Sequence, residues 1–374
     1  MREPRTASQR LGRAMAWGLA LTVGAVVVRE LVRPRPERPR LIDWELAEAM
    51  ALRHSGEAQE PPADPALAAS YDAMAARLTP LLNQALADST GPAPVSYPPL
   101  RPVGRRAWVS YNVRIFRQMF QPLERLEERL PGSLLLRWGQ AGITRYLGFM
   151  LGLLARRVLG QYDPALLGRE PMETSSLILV EPNVQAWASK EGLPVDELRQ
   201  WLAMHELTHA WEFRAHPWLQ TYLEELLGQV LVGRLLDGRT PTSWELVRTL
   251  TVGMGQQWKA IAKIQAAMSL LEGFSNLMMD EIGARELPHF GVLEAAYRRR
   301  LLNRTPLERA LLRLTGMEMK MQQYIQGERF VRAVRDQGGM ALLAQVWRGP
   351  EWLPTMQEIQ RPELWVVRAG AAAA

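Results

Sequence analysis

Apolar residues recur at intervals of three and four along almost the whole chain from Leu41 onward, and this periodicity constrains the fold more than any other feature. With 47% apolar and 22% charged residues, a chain of 374 residues can bury a large core. The pattern predicts helices over 43–54, 65–88, 107–129, 132–160, 195–215, 218–236, 243–284, 291–303, 306–315 and 318–336. We therefore expect a mainly α fold.

One segment departs from the helical pattern. Ser175–Val180 is a short apolar run that predicts a β-strand. The stretch Val184–Ala188, beyond Glu181-Pro-Asn, is the candidate partner strand. A small β-sheet is therefore expected just before the helix at 195–215, and residues 371–374 are expected to form a frayed tail.

Any metal site in this chain must use histidine or carboxylate ligands, because the chain contains no cysteine. The five histidines stand at positions 54, 205, 209, 216 and 289. Three of the five fall within twelve residues. That clustering indicates a metal site in the segment 204–216.

The segment Met204-His-Glu-Leu-Thr-His-Ala-Trp-Glu212 carries the His-Glu-x-x-His pattern. On a helix His205 and His209 lie one turn apart on one face, so both imidazoles can bind one zinc ion at about 2.0–2.1 Å. Zinc lowers the pKa of a water towards 7, and Glu206 is placed to take the proton as general base. The competing interpretation, a chance spacing on a buried helix, leaves two imidazoles in the core without partners.

A third protein ligand must come from elsewhere in the chain. The metzincin pattern is not met, because position 212 is Glu where that pattern has Gly, and His216 lies one residue too far. We predict Glu272, since its apolar neighbours would make an unpaired carboxylate costly. Asp280 is the reserve ligand, and a buried glutamate paired with an arginine is the alternative interpretation of Glu272.

Two further polar residues are expected to support the ligands. Asn276, one turn after Glu272, resembles the later position of the gluzincin Glu-x-x-x-Asp pattern and would hold a histidine by a neutral hydrogen bond. Glu212, one turn after His209, is expected to form a salt bridge or to support a ligand. Candidates for stabilising an oxyanion, which we do not rank, are His216, His289, Tyr297 and Tyr324.

Residues 1–40 differ from the rest of the chain. The apolar run Ala14–Val28 is flanked by arginines, and a helix over 11–32 could approach the length of a membrane span. An uncleaved membrane anchor and a soluble helix packed on the body are equally compatible with this pattern, so a cytoplasmic and a membrane-associated location both stay open. The formal charge of +6 is spread along the chain, and no nucleic-acid motif is present, so no nucleic-acid partner is expected.

Several motifs together resemble a family of zincin-like hydrolases, found mostly in actinobacteria and chloroflexi and sometimes linked by name with deazaflavin coenzyme biosynthesis. The matching segments are Ile42-Asp-Trp-Glu-Leu-Ala47, Leu179-Val-Glu-Pro-Asn183, the helix with the two histidines as far as Trp218-Leu219, Leu271-Glu-Gly-Phe-Ser-Asn276 and residues 319–333. The resemblance covers about 42–368. It implies a zincin-like metallopeptidase architecture, mainly α with a small sheet, over a hydrolase domain at 41–368, with a tail at 369–374.

The expected function is hydrolysis of a peptide or a small amide by a zinc-activated water, with zinc on His205, His209 and Glu272 and Glu206 as the base. The alternative is a membrane-associated helical scaffold that binds zinc only for stability. No residue pattern indicates an oligomeric state.

Overall fold

The computed structural model describes residues 42–56, 65–90, 95–127, 134–162, 177–231, 243–302 and 317–373. Within these residues the fold is mainly helical with one small sheet, and the predicted fold class is confirmed. The helices are α1 (Trp44–His54), α2 (Pro65–Thr90), α3 (Arg105–Glu127), α4 (Leu134–Ala155), α5 (Glu181–Glu191), α6 (Val195–Ala215), α7 (Pro217–Leu231), α8 (Ser243–Glu286), α9 (Phe290–Leu302), α10 (Met317–Leu343), α11 (Met356–Gln360) and α12 (Pro362–Ala373).

Most predicted helices lie within a few residues of the observed ones, because the apolar periodicity is local. The predicted helix at 306–315 and the segment 1–41 lie outside the described residues. The last helix, α12, was not predicted. It continues to Ala373, so the segment expected to be a frayed tail is helical as far as that residue.

The sheet has three strands, β1 (Leu100–Val103), β2 (Gly160–Gln161) and β3 (Leu177–Val180), in the order β1-β3-β2. β1 runs parallel to β3 and pairs Leu100 with Leu177, whereas β2 is antiparallel and pairs Gly160 with Leu179. The central strand β3 occupies the C-terminal four residues of the predicted strand. Its neighbours come from distant parts of the chain, which local pattern does not reveal.

The predicted pairing of β3 with Val184–Ala188 is wrong, because residues 181–191 form helix α5. Glu181-Pro182 opens this helix: a proline fits the first turn, and an acidic side chain suits the positive end of the helix dipole. The helix ends at Gly192, which takes the left-handed conformation at φ 65°. The turn signal at 181–183 is therefore a helix start.

The sheet separates two apolar cores. Along β3, Leu177 and Leu179 pack into the larger core, formed by α2, α6, α8 and the C-terminal helices, while Ile178 and Val180 pack into a smaller core with α1, α3 and α4. Both faces of the strand are covered, so all four residues are buried. This arrangement sets β3 directly beside α6, the helix with the two histidines.

Helices α8 and α10 cross with their backbones in contact. A Cβ atom at Gly273 would lie 2.4 Å from the carbonyl group of Gly327, and a Cβ atom at Gly327 would lie 1.9 Å from the backbone oxygen of Ser269. Only glycine allows this approach. The crossing holds the part of α8 that carries Glu272 against the rest of the core.

Candidate metal centre

Helix α6 carries the two histidines on one face. Pro194 and the acidic pair Asp196 and Glu197 begin the helix, and it ends before Pro217, as the sequence predicts. The Nε2 atoms of His205 and His209 lie 3.1 Å apart, and their rings are perpendicular, with centroids 4.7 Å apart. Both imidazoles therefore present the same nitrogen to the same point.

Glu272 on α8 completes a triangle of donor atoms. Its Oε2 atom lies 3.4 Å from His205 Nε2 and 3.5 Å from His209 Nε2. Tetrahedral zinc with bonds of about 2.0–2.1 Å requires its ligand atoms to lie about 3.3 Å apart. The triangle therefore has the dimensions that such an ion imposes, and these three residues could hold a metal ion.

The charges of the triangle suit a cation. Burial alone would raise the pKa of Glu272, but the two imidazoles hold it well below the usual value, so the carboxylate is ionised. Burial would lower the pKa of His209, yet the carboxylates of Glu212 and Glu272 more than offset this and raise it. A divalent cation at this point balances the negative charge of the same carboxylates, so the imidazoles can stay neutral and act as ligands.

Glu206 faces the sheet side of α6, against β2. A Cβ atom at Gly160 would lie 2.4 Å from Glu206 Oε1, so only glycine leaves room for the carboxylate there. The backbone N–H of Tyr162 donates to Glu206, and burial is the main cause that raises its pKa. No sequence pattern indicated Gly160 and Tyr162, because a two-residue strand has no recognisable pattern.

His209 is held from behind by a buried pair. Its Nδ1 atom lies 2.8 Å from Glu212 Oε2 and 3.1 Å from Ser275 Oγ. Glu212 is fully buried, which raises its pKa to about 7, although His209 partly offsets that effect. Glu212 thus takes the supporting position expected for it, and Ser275 is a partner that no sequence signal indicated.

The support expected from Asn276 is not formed as a direct hydrogen bond. Its side chain is buried, and among the described residues its Oδ1 atom has no hydrogen-bond partner. The Nδ1 atom of His205 is likewise buried without a partner in the described part of the chain. The two histidines therefore differ in the described structure: a carboxylate holds His209 through Nδ1, and no described carboxylate holds His205 in this way.

Other candidate residues lie away from the triangle or have other partners. His216 packs between Trp211 and Trp347, with Nδ1 3.0 Å from the backbone oxygen of Glu212, so it is a buried core residue. His289 is exposed and pairs with Glu197. Asp280 binds Arg332, so it does not act as the reserve ligand in this arrangement.

Two tyrosines were also candidates. Tyr297 packs edge-on against Trp201, with ring centroids 5.4 Å apart. Burial raises the pKa of Tyr297, and the nearby charge of Glu272 raises it further. Tyr324 belongs to α10, but its side chain is outside the described set.

Comparisons with known proteins identify the family of this chain. The sequence model of the zincin-like metallopeptidase family matches residues 42–366. A solved chain from Chloroflexus aurantiacus, described as a candidate hydrolase with a novel fold, is 37% identical over 87% of this chain and 98% of that chain, with a TM-score of 0.65. No curated protein matches the sequence. The chain belongs to the zincin-like metallopeptidase family.

Proposed function

We propose that the protein is a zinc-dependent hydrolase that cleaves peptide or other amide bonds, with His205, His209 and Glu272 as zinc ligands and Glu206 as general base. The observation that carries the proposal is the triangle of donor atoms, with sides of 3.1, 3.4 and 3.5 Å, on a helix that places Glu206 beside it. Membership of the metallopeptidase family and the solved relative support a hydrolase.

Zinc, when bound, acidifies a water and polarises the substrate carbonyl. Glu206 accepts a proton from the attacking water at its carboxylate, and the water oxygen bonds to the carbonyl carbon. Glu206 then delivers that proton to the nitrogen as the C–N bond breaks. Burial raises the pKa of the Glu206 carboxyl, which makes its carboxylate a stronger base. Tyr297, which interacts with the charge of Glu272, is the candidate donor to the carbonyl oxygen.

An edge strand of the sheet favours an extended substrate, because a peptide backbone can form hydrogen bonds with it. The strand predicted at 175–180 cannot pair with such a substrate, because β3 is the central strand and both of its edges are paired. In the described structure β2 is an edge strand, and Gly160 lies against Glu206. A peptide paired with β2 would therefore pass beside the base.

Glu206→Gln tests the role of the general base separately from the role of the metal ligands. The amide keeps the shape of the side chain but takes no proton, so we expect zinc content near one per chain and a loss of turnover of at least about a hundredfold. Zinc is measured by metal analysis after dialysis, and cleavage by mass spectrometry on a mixed peptide library.

His205→Ala and His209→Ala are the companion variants, and each should lose the zinc. Full zinc content in both histidine variants, or unchanged cleavage by Glu206→Gln, contradicts the proposal. The non-catalytic scaffold predicts bound zinc and no cleavage by the unchanged protein.

A further inference from the structure

The outward face of α4 is apolar. Ile143, Tyr146 and Phe149 recur every three residues and are 39%, 46% and 38% exposed. We call these three residues the α4 face. From 141 to 155 this helix has one charged residue, Arg145. Surface helices ordinarily present polar side chains to water, and contiguous exposed apolar side chains mark an interaction site.

The apolar surface continues onto α1. The ring of His54 packs edge-on against the ring of Phe149, with centroids 5.3 Å apart, and Leu46 on α1 is 41% exposed. A Cβ atom at Gly148 or Gly152 would lie 2.7 or 2.6 Å from a backbone oxygen of α1, so the two helix backbones touch. The surface is therefore carried by a closely packed helix pair.

The helices around the α4 face are rich in arginine. The stretches 42–56, 105–121 and 141–157 contain eight arginines and three acidic residues, whereas the whole chain has 45 basic and 39 acidic residues. Arg105 Nη1 and Arg156 Nε would lie 3.1 and 3.7 Å from a Cβ atom at Gly56, so two guanidinium groups meet at the end of α1. The excess of arginine in these three packed helices suits an anionic partner.

The sequence that precedes α1 also combines an apolar run with arginines. The run Ala14–Val28 is apolar and has arginines on both flanks, and 15 residues of sequence separate it from Trp44, where α1 begins. An apolar, arginine-flanked segment therefore precedes the apolar surface closely in sequence. Both features match one kind of partner, a bilayer with anionic lipids.

We propose that the α4 face is a peripheral contact with an anionic lipid bilayer. Ile143, Tyr146 and Phe149 enter the boundary between headgroups and acyl chains, where aromatic side chains are favoured, and the arginines of α1, α3 and α4 bind lipid phosphates. A nucleic acid would use the arginines but not the apolar residues. A second copy of the chain would bring two arginine-rich surfaces together, which like-charge repulsion opposes.

The absence of cysteine makes a site-specific test direct. In the full chain, Tyr146→Cys carries a polarity-sensitive fluorophore, and Val367→Cys on α12, where Val367 is 71% exposed, is the matched control. Vesicles of phosphatidylcholine, with or without about 30% phosphatidylglycerol, are mixed with each protein. On anionic vesicles we expect a blue shift and quenching by doxyl-labelled lipids at position 146 and neither effect at 367.

The arginine contribution is tested in the same labelled chain. Arg145→Glu together with Arg156→Glu should weaken the lipid-dependent signal at 146 by about tenfold or more, since each basic residue near an anionic surface contributes roughly 1 kcal/mol. The far-UV circular dichroism of this variant should match that of the parent.

Three outcomes overturn the proposal. One is a label at 146 that stays in water on vesicle-bound protein. Another is a blue shift without vesicles that grows with protein concentration, which means that a second copy covers the face. The third is a blue shift without vesicles that is independent of concentration, which means that the chain's own residues cover it.

Discussion

At the scale of single residues, the two histidines of the triangle are supported unequally. His209 has buried hydrogen-bonding partners behind it, and among the described residues His205 Nδ1 has none. Glu212 and Ser275 hold His209 through Nδ1, which leaves Nε2 directed at the triangle. A ring so held loses less freedom when it binds an ion, and an anionic acceptor makes the imidazole a stronger donor ligand. Glu212 should therefore contribute to metal affinity although it does not belong to the triangle.

Glu212→Gln tests this contribution. The amide can still accept a hydrogen bond but carries no charge, so we expect zinc to bind about tenfold more weakly. Affinity is measured by competition with a chromogenic chelator. Glu197→Gln is the matched control, because Glu197 pairs with the exposed His289 instead. Equal zinc affinity in the two variants would show that Glu212 serves packing alone.

Glu181 shows that a family motif can be structural. Its buried carboxylate accepts hydrogen bonds from Tyr71, Gln185 and Arg199 and so ties α2, α5 and α6 together. Burial alone would raise the pKa of Glu181, but these partners hold it below 4.5. A depressed folded-state pKa means stability that is present above pH 4.5 and lost as the pH falls below it.

Glu181→Gln should lower the free energy of unfolding at pH 7 by about 3 kcal/mol, because Arg199 is left without its buried partner. Below pH 4.5 the difference from the unchanged protein should shrink, since the carboxylate there becomes protonated. Urea unfolding at a series of pH values measures both effects. Glu363→Gln, on the exposed side of α12, is the control. A difference that does not change with pH would show that charge is not the cause.

At the scale of elements, the crossing of α8 and α10 determines where Glu272 lies. Gly273, the residue that follows Glu272 in the chain, lies against the backbone of Gly327. Such a contact has no side chain that could rotate away, so a methyl group must push the helices apart. The position of the third donor atom therefore depends on two glycines in different helices.

Gly327→Ala places a Cβ atom 1.9 Å from the Ser269 backbone oxygen and should lower the free energy of unfolding by about 3 kcal/mol. Zinc affinity should fall as well, because α8 must shift. Gly228→Ala in α7 has nothing within 4 Å of its new Cβ atom and should be neutral or slightly stabilising. Unfolding in urea and chelator competition give the two readouts. A Gly327→Ala protein as stable as Gly228→Ala would contradict the crossing.

At the scale of the whole molecule, the metal triangle joins α6 to α8 within a core that is already large. Among the described residues, 44 buried apolar side chains form the main cluster. The fold should therefore persist without metal.

Within the described residues no helix is long and apolar enough to cross a membrane, and residues 11–32 lie outside that part of the chain.

Removal of zinc by a chelator should lower Tm by about 5 °C and leave the helical circular dichroism at 25 °C unchanged. A ligand at a hundredfold excess over its Kd stabilises by about 2.7 kcal/mol, and for a chain of this size each kcal/mol shifts Tm by roughly 2 °C. Readdition of zinc should restore Tm. Loss of helical signal at 25 °C would instead favour the structural role of zinc.

The sequence by itself determined most of the helices and one half of the site. Periodicity and prolines act within a few residues, so α6 and the common face of His205 and His209 follow from local spacing. The backbone contact of Gly273 with Gly327 on α10, in contrast, follows from tertiary packing. The fold class follows from the same local patterns.

Only the tertiary structure decided which distant groups meet. Strand order, the helix at 181–191 in place of a partner strand, and the pairing of His209 with Ser275 depend on contacts between segments far apart in sequence. Asp280 and Glu272 lie two turns apart on one helix, and the sequence offers both as candidate ligands. Arg332 on α10 binds the first, while the two histidines on α6 face the second, because helix packing places a different neighbour beside each carboxylate.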